Sequence, residues 1–590
     1  MSRRERLLSW LVPAALVPLV LLQLGYMYGA ILHPWIYHRI DPAWLANDWF
    51  TTTLPHHLNA IGFVAAAARW VSPPATVLVL HLAALFLLLW VSYRTSRLLA
   101  DHWGVFYIAV FLFLRWGTGG LGGNGLWGNF LVPHNATVPV CLLAFYLALR
   151  DRLAAAALVA AAATWMHVQL GAQTMLVLGL GLALDLRRAG LRRLSLAAAL
   201  YAAAVAPTLI SQWRLYLGGP SPLSTEQFVY LNAVLRQPHH VAPFSWDGAE
   251  YYRLGLVLLM AALARPWRHA AGRRILAWFG VIVALCVVGT VFVEIVPTKL
   301  GVKLQLFRVT VFVKFFAVLY AARWLLDLWQ ERGVAKKIGA LAILAIPNFA
   351  LVGITLALVA AAGQARRWAW GLAVFAAGTL AGVTTVATAS LGRPIPMFWH
   401  SFAVPLPAAR WDAALWVALA AAAWRFPRVL PLAPLGLLAV QQALTGAVAF
   451  NYDHLPRDGW QQFGLQVKAL TPRDAVFITP PHLEGFQLFA ERAHVGDFKC
   501  FPFREADMLE WKSRLDDLAG AELRCGGFVD CASQLAYGYS RLREPDFLRL
   551  GRKYGARYVV TTHREQPLHF PERARLEEFV LYELPVQPSP

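Results

Sequence analysis

Residues Leu7 to Leu32 form an almost unbroken run of Leu, Val, Ala and Pro. At about 1.5 Å of rise per residue, roughly 20 such residues cross a hydrocarbon layer of about 30 Å. Lipid offers the backbone no hydrogen bonds, so a span of this kind must be helical or part of a closed barrel. Similar runs recur as far as Phe450, roughly 11–14 of them at about 20 residues each. The 590 residues are 58% hydrophobic and only 15% charged, which is far from a soluble domain's balance. The chain is therefore predicted to be a polytopic α-helical membrane protein. No small-residue cleavage site follows the first run, which reads as an anchor rather than a removed signal.

The formal charge of +20 does not point to nucleic acid, because no basic patch is interleaved with an RNA- or DNA-binding motif. The arginines instead gather in short clusters between spans, as cytoplasmic loops do, which puts the N-terminus in the cytoplasm. The opposite connections are longer and chemically mixed. They run from His33 to His57, Gly117 to Asn135, Gln212 to Glu250 and Pro297 to Arg308. If Pro347 splits the segment from Ile338 to Gly363 into two half-spans, the C-terminal tail emerges on that outer side. This arrangement places more basic loops inside, so it is the one expected.

The expected organisation is a bundle over 1–450 and a soluble, extracytoplasmic α/β domain over 451–590. Within the tail, Asp458 to Leu470 reads as an amphipathic helix. The stretches "DAVFITPP", "RKYGARYVVT" and "LEEFVLYELP" read as strands. The tail has no glycine-rich nucleotide fingerprint. Cys141 and Cys286 sit within apolar runs, whereas Cys525 and Cys531 could pair if the tail faces an oxidising compartment.

Chemistry concentrates in the outer connections. Asp41 precedes Pro42, the usual start of a helix, with Asp41 as N-cap. A helix continuing from there would carry Asp48 about 10.5 Å along the axis on nearly the same face. Beside Trp49 and Phe50, Asp48 is a candidate general base, with a solvated loop carboxylate as the alternative. In the second connection, seven glycines surround Asn124, Trp127 and Asn129, and His134 follows. Such a loop lets backbone amides approach a ligand, or it is a plain crossover. His167 lies at the outer end of a span, as a functional imidazole or a helix–helix hydrogen bond. Arg236, His239 and His240 form a group suited to phosphate, since a guanidinium grips it with a two-pronged fork. Zinc is less suited there because no further ligand has the usual spacing. Lys299, Lys303 and Arg308 sit on the outer side against the positive-inside trend and call for anionic company, lipid headgroups or a lipid-linked phosphate. His57 closes the first connection and completes the set.

With these residues in view, the chain resembles the C-class (GT-C fold) multispan glycosyltransferases that use polyprenyl-phosphate sugars. The acidic first outer loop with "LANDWFTTTLP", the bundle of about a dozen helices and the tail segments "LQVKALTPRDAVFITPP" and "YGARYVV" carry the likeness. It also resembles an uncharacterised family of bacterial polytopic proteins through Arg236 to His240 and "ERAHVGDFKCFPF", around Arg492, Asp497 and Lys499. The resemblance implies sugar transfer from a polyprenyl-phosphate donor to an acceptor at the outer face of the bacterial cytoplasmic membrane. Membrane lipids are implied partners and nucleic acid is not. Asp48, with Asp41 nearby, would accept the acceptor's proton. Arg308, Arg236, His239, His240 and Lys303 would meet the lipid phosphate. His167, His134, Asn129 and His57 would be further site residues. Many such enzymes carry adjacent acids early in the first loop; Asp41 and Asp48 are separated, so the resemblance implies no firm cofactor and leaves a divalent cation open. A transporter or flippase using His167 and Glu294, a polysaccharide ligase or polymerase, and a noncatalytic envelope-assembly protein are the alternative readings.

Overall fold

The structure is a computed structural model. It describes residues 3–27, 33–53, 59–117, 119–214, 221–345, 430–445, 450–453, 455–562 and 568–585, with 352–353, 355–356, 421–422 and 425–426. His57 and Pro347 lie outside the described residues, as does most of the second half-span; the first half-span falls in the helix Val334–Ala345.

Among the described residues, five helices are long and apolar enough to cross a membrane: Arg3–Leu24, Pro73–Leu99, Leu191–Gln212, Ala270–Ile295 and Lys299–Gln330. Four shorter apolar helices accompany them, Gly104–Trp116, Pro133–Leu149, Leu153–Met166 and Val168–Ala183. The protein is a helical membrane bundle with a sheet-containing C-terminal region.

Burial sorts these helices. The Arg3–Leu24 and Leu191–Gln212 helices bury little of their apolar surface, as befits a lipid-facing position, whereas Thr310–Gln330 is enclosed almost along its length. Around it, Phe145 packs against Phe312 at 4.8 Å between ring centroids and against Trp278 at 4.9 Å, mostly tilted or edge-on as ring quadrupoles prefer. Gly181 admits the Trp278 ring: a Cβ there would lie 2.2 Å from Cδ1, so the helices close to this distance only over glycine.

The tail joins the same end of the bundle as the outer connections. Strand β1 (Tyr26–Met27), just beyond the first span, pairs in parallel with β2 (Phe450–Asn451). Beyond it lies a five-stranded sheet of β3 (Val476–Ile478), β4 (Ala493–His494), β5 (Tyr558–Thr561), β6 (Glu572–Leu576) and β7 (Phe579–Glu583), in the order β4-β3-β5-β7-β6. Strands β4, β3 and β5 are parallel, and β7 runs antiparallel to β5 and β6. The expected amphipathic helix spans Gly459–Leu470, and Asp458 caps it by accepting from the Gln461 amide at 2.8 Å. Helices Glu505–Ala519, Phe528–Ser540 and Glu544–Tyr554 complete the region, and Cys525 is bonded to Cys531.

The helix expected to run from Asp41 through Asp48 does not form. Residues 42–47 are a series of turns. Leu45 takes a left-handed conformation (φ 52°), which ends helical propagation. Asp41 still caps, accepting from the Ala43 amide at 3.0 Å, but the next helix is the separate Trp49–Thr53 turn and a half.

Candidate functional site

Asp48 begins that short helix. Its Oδ1 accepts the Thr51 amide at 2.8 Å and its carbonyl accepts the Thr52 amide at 3.0 Å, so it acts as a helix cap. The tail supplies two more donors, Gln487 Nε2 to Oδ1 at 2.8 Å and the His494 amide to Oδ2 at 3.2 Å. The residue is fully buried, at 0% exposure. The carboxylate expected as a base is thus held as a joint between the first outer connection and a segment more than 400 residues away in sequence. Asp41 is also turned to the tail, in an exposed ion pair with Arg473 at 2.8 Å that holds its carboxyl below the usual range. Arg514 covers the Trp49 ring at 4.6 Å.

A second group assembles on the glycine connection. Gly119 and Gly125 bridge as a minimal antiparallel pair, and the Gly120 amide donates to the Asn124 carbonyl at 2.6 Å. Gly122 has φ 67°, and a Cβ on it would lie 2.7 Å from the Trp246 ring, so both conformation and space demand glycine. The tight loop presents its carbonyls inward. His240 Nδ1 lies 2.8 Å from the Gly122 carbonyl, and His134 Nε2 lies 3.0 Å from the Gly125 carbonyl. Arg308 joins from the Leu306–Val309 turn, its Nη1 lying 3.4 Å from His134 Nδ1 and 3.5 Å from Asn124 Oδ1, while its Nε donates to Gln305 Oε1 at 2.5 Å. The rings of His239 and His240 are 4.1 Å apart. Burial, and then the nearby cations Arg236, Lys499 and Arg308, push His239 down to about 4. His240 is driven well below its ordinary value by burial, Arg308 and His239. Both are neutral at physiological pH. Arg308 makes no ion pair among the described residues, so a guanidinium is set among imidazoles with no carboxylate to neutralise it.

Lys303 belongs elsewhere. It and Lys299 both pair with Glu505 of the tail, at 3.0 and 2.9 Å, and Ser221 Oγ donates to the same carboxylate at 2.6 Å. The expected anionic partner of these lysines is therefore, in this structure, a protein carboxylate. Burial would raise Glu505, but the hydrogen bonds from Ser221, Lys299 and Lys303 outweigh it and hold the group at about 2. Arg236 ends a π-helical turn over Tyr230–Arg236 and donates to the Lys499 carbonyl at 3.3 Å, linking the histidines to the tail.

Of the remaining candidates, His167 breaks the chain between the Leu153–Met166 and Val168–Ala183 helices. Its Nδ1 accepts the Leu170 amide at 3.3 Å as a cap, and its ring stands 6.1 Å from that of His134. Asn129 is tied through its backbone, its carbonyl accepting the Met27 amide at 2.7 Å. Glu250 was not singled out from the sequence, although its Oε2 accepts the Gly122 amide at 3.2 Å. Its signal was an acid in the first turn of a helix leaving the third outer connection. His494, Cys500, Gln487 and Glu505 were also not singled out, because their partners are residues far away in sequence.

A family model described as a domain of unknown function (DUF6798) matches residues 458–518. Comparison with curated protein sequences finds no match. Among solved structures, the chain is similar to ArnT from Cupriavidus metallidurans bound to undecaprenyl phosphate. The two are 16% identical, with a TM-score of 0.47, over 99% of this chain and 98% of that one. A likeness at this level carries no argument about the site.

Proposed function

We propose that the protein binds a polyprenyl-phosphate-linked sugar at the face carrying its outer connections and transfers the sugar to an acceptor. The observation that carries this reading is Arg308, a cation without an ion-pair partner among the described residues, set beside His134, His239 and His240 at the end of a membrane bundle. A phosphate monoanion or dianion would supply the missing charge, and a guanidinium offers it two parallel hydrogen bonds. Neutral His134 and His240 each spend their one N–H on a backbone carbonyl, so they line the site without crowding further cations around Arg308, and the guanidinium is the donor offered to the phosphate. In the transfer step, charge grows on the departing phosphate, where preorganised donors contribute most.

The bond between the anomeric carbon and the phosphate oxygen breaks as the acceptor oxygen attacks that carbon, and the acceptor's proton passes to a carboxylate. Asp48 is the carboxylate given this role by the sequence resemblance. In that role it would use the lone pair left after the Thr51, Gln487 and His494 donors. The Cys525–Cys531 bond fits a tail in an oxidising compartment, such as the outer side of a bacterial cytoplasmic membrane.

The test is binding of a panel of radiolabelled polyprenyl-phosphate sugars to purified protein in nanodiscs, for wild type and Arg308→Ala. Binding that the substitution weakens, followed by sugar release when acceptors are added, is the expected result. Folded protein that binds none of them would overturn the reading in favour of a transporter or an assembly protein.

A further inference from the structure

Beneath the joint formed by Asp48 lies a cluster that the sugar-transfer reading does not use. His494, Asp497 and Cys500 recur at every third residue as the chain leaves β4, and all three are buried, at 2%, 2% and 6% exposure. Their ligand-type atoms lie within 4.8 Å of one another. Cys500 Sγ stands 3.2 Å from Asp497 Oδ2, and His494 Nε2 stands 3.8 Å from the same oxygen. Bonds of about 2.0–2.3 Å in a tetrahedral zinc site put ligand atoms roughly 3.3–3.8 Å apart, so these three need move little.

The details favour a cation over a plain hydrogen-bonded cluster. His494 Nε2 is buried with no hydrogen-bond partner, which is costly for a polar atom and is resolved by a metal. The opposite nitrogen, Nδ1, lies 3.2 Å from Thr479 Oγ1, and in the tautomer that donates there Nε2 is left as a ligand. Asp497 is oriented likewise: its Oδ1 accepts the amides of Lys499 at 2.8 Å and Cys500 at 2.6 Å, leaving Oδ2 to face the cluster. Gln487 Oε1, 3.6 Å from Cys500 Sγ, stands beside the fourth position, and its Nε2 is the donor to Asp48.

We infer that His494 Nε2, Asp497 Oδ2 and Cys500 Sγ form a structural site for zinc that stiffens the joint between the tail and the first outer connection. Thiolate, imidazole and carboxylate together suit zinc, whereas calcium and magnesium take oxygen ligands. Binding replaces the thiol proton of Cys500, which is released to solvent, and involves no redox change. Enclosed as it is, the site serves to hold structure rather than to activate water. It stands independently of the sugar-transfer reading.

Untagged protein in nanodiscs, stripped with a chelator and reloaded with Co²⁺ or Zn²⁺, tests this. Wild type is expected to take up one equivalent of either ion. Cobalt should give the strong visible bands of a tetrahedral site with a thiolate-to-metal charge-transfer band. The variant Cys141→Ala with Cys286→Ala, in which Cys500 is the one remaining free thiol, should keep that band, and Cys500→Ala should lose it. Uptake well below one equivalent by wild type, absence of the charge-transfer band, or its persistence in Cys500→Ala would each overturn the inference. The wild-type and double-variant measurements decide the matter even if Cys500→Ala fails to fold.

Discussion

Two groups of cations share one face of this bundle, and they have opposite electrostatic fates. Lys299 and Lys303 close on the tail carboxylate of Glu505, and with Ser221 they leave it little further capacity. Arg308 stands a few residues further on among neutral histidines, with no acid paired to it among the described residues. From the sequence alone the three looked equivalent, as outer cations needing an anion. The structure separates a cation group whose anion is built into the protein from one that pairs with no carboxylate among the described residues. Buried charge thus marks a binding site only where the protein has not already neutralised it.

The largest expected effect comes from making the first group resemble the second. Glu505→Ala leaves two partly buried ammonium groups unpaired and should destabilise tail docking by about 1–3 kcal/mol, between the values typical of exposed and buried pairs. Hydrogen exchange over 299–304 and 505–519 measures it. Unchanged protection there would show that the pairing is incidental.

Asp48→Asn sharpens the contrast from the other side. The asparagine amide would turn a donor toward either Gln487 Nε2 or the His494 amide, leaving a buried donor unmet at about 1–3 kcal/mol. The tail should become more sensitive to protease, while donor binding at Arg308 stays near wild type. Loss of donor binding in a folded, docked variant would contradict the separation of the Asp48 joint from the Arg308 group.

Acid should act on the Glu505 contact. The folded value of Glu505 is depressed to about 2, below an unfolded value of about 4.5, so its contribution is present above the unfolded value and is lost as pH falls from there toward 2. Tail docking followed by exchange should weaken across that window, and Glu505→Gln should remove this component. The smallest effect is expected at the exposed Asp41–Arg473 pair, where Arg473→Ala should leave docking unchanged within error, since solvent screens the pair.

What the sequence revealed follows the range of the interaction. The described apolar runs, the tail's amphipathic helix and its strands are local patterns, and each appears near its expected place. The gathering of Arg308 with His134, His239 and His240 was legible only as a set of outer loops on one face. The helix from Asp41 failed at Leu45, whose left-handed backbone no periodicity foretells. Asp48 looked like a lone carboxylate because its partners, Gln487 and His494, are brought to it by tertiary packing. Lys303 looked available for the same reason, its partner Glu505 lying 202 residues away.

The proposed role of Arg308 is to receive the lipid phosphate, in contrast to its neighbours Lys299 and Lys303. Equilibrium binding of a polyprenyl-phosphate sugar to nanodisc-held protein, compared between Arg308→Ala and Lys303→Ala, tests it most directly. Binding should weaken about 10- to 150-fold with Arg308→Ala, the equivalent of about 1.5–3 kcal/mol for a charged hydrogen bond, and change little with Lys303→Ala. Equal losses in both variants, or full binding by Arg308→Ala, would contradict it.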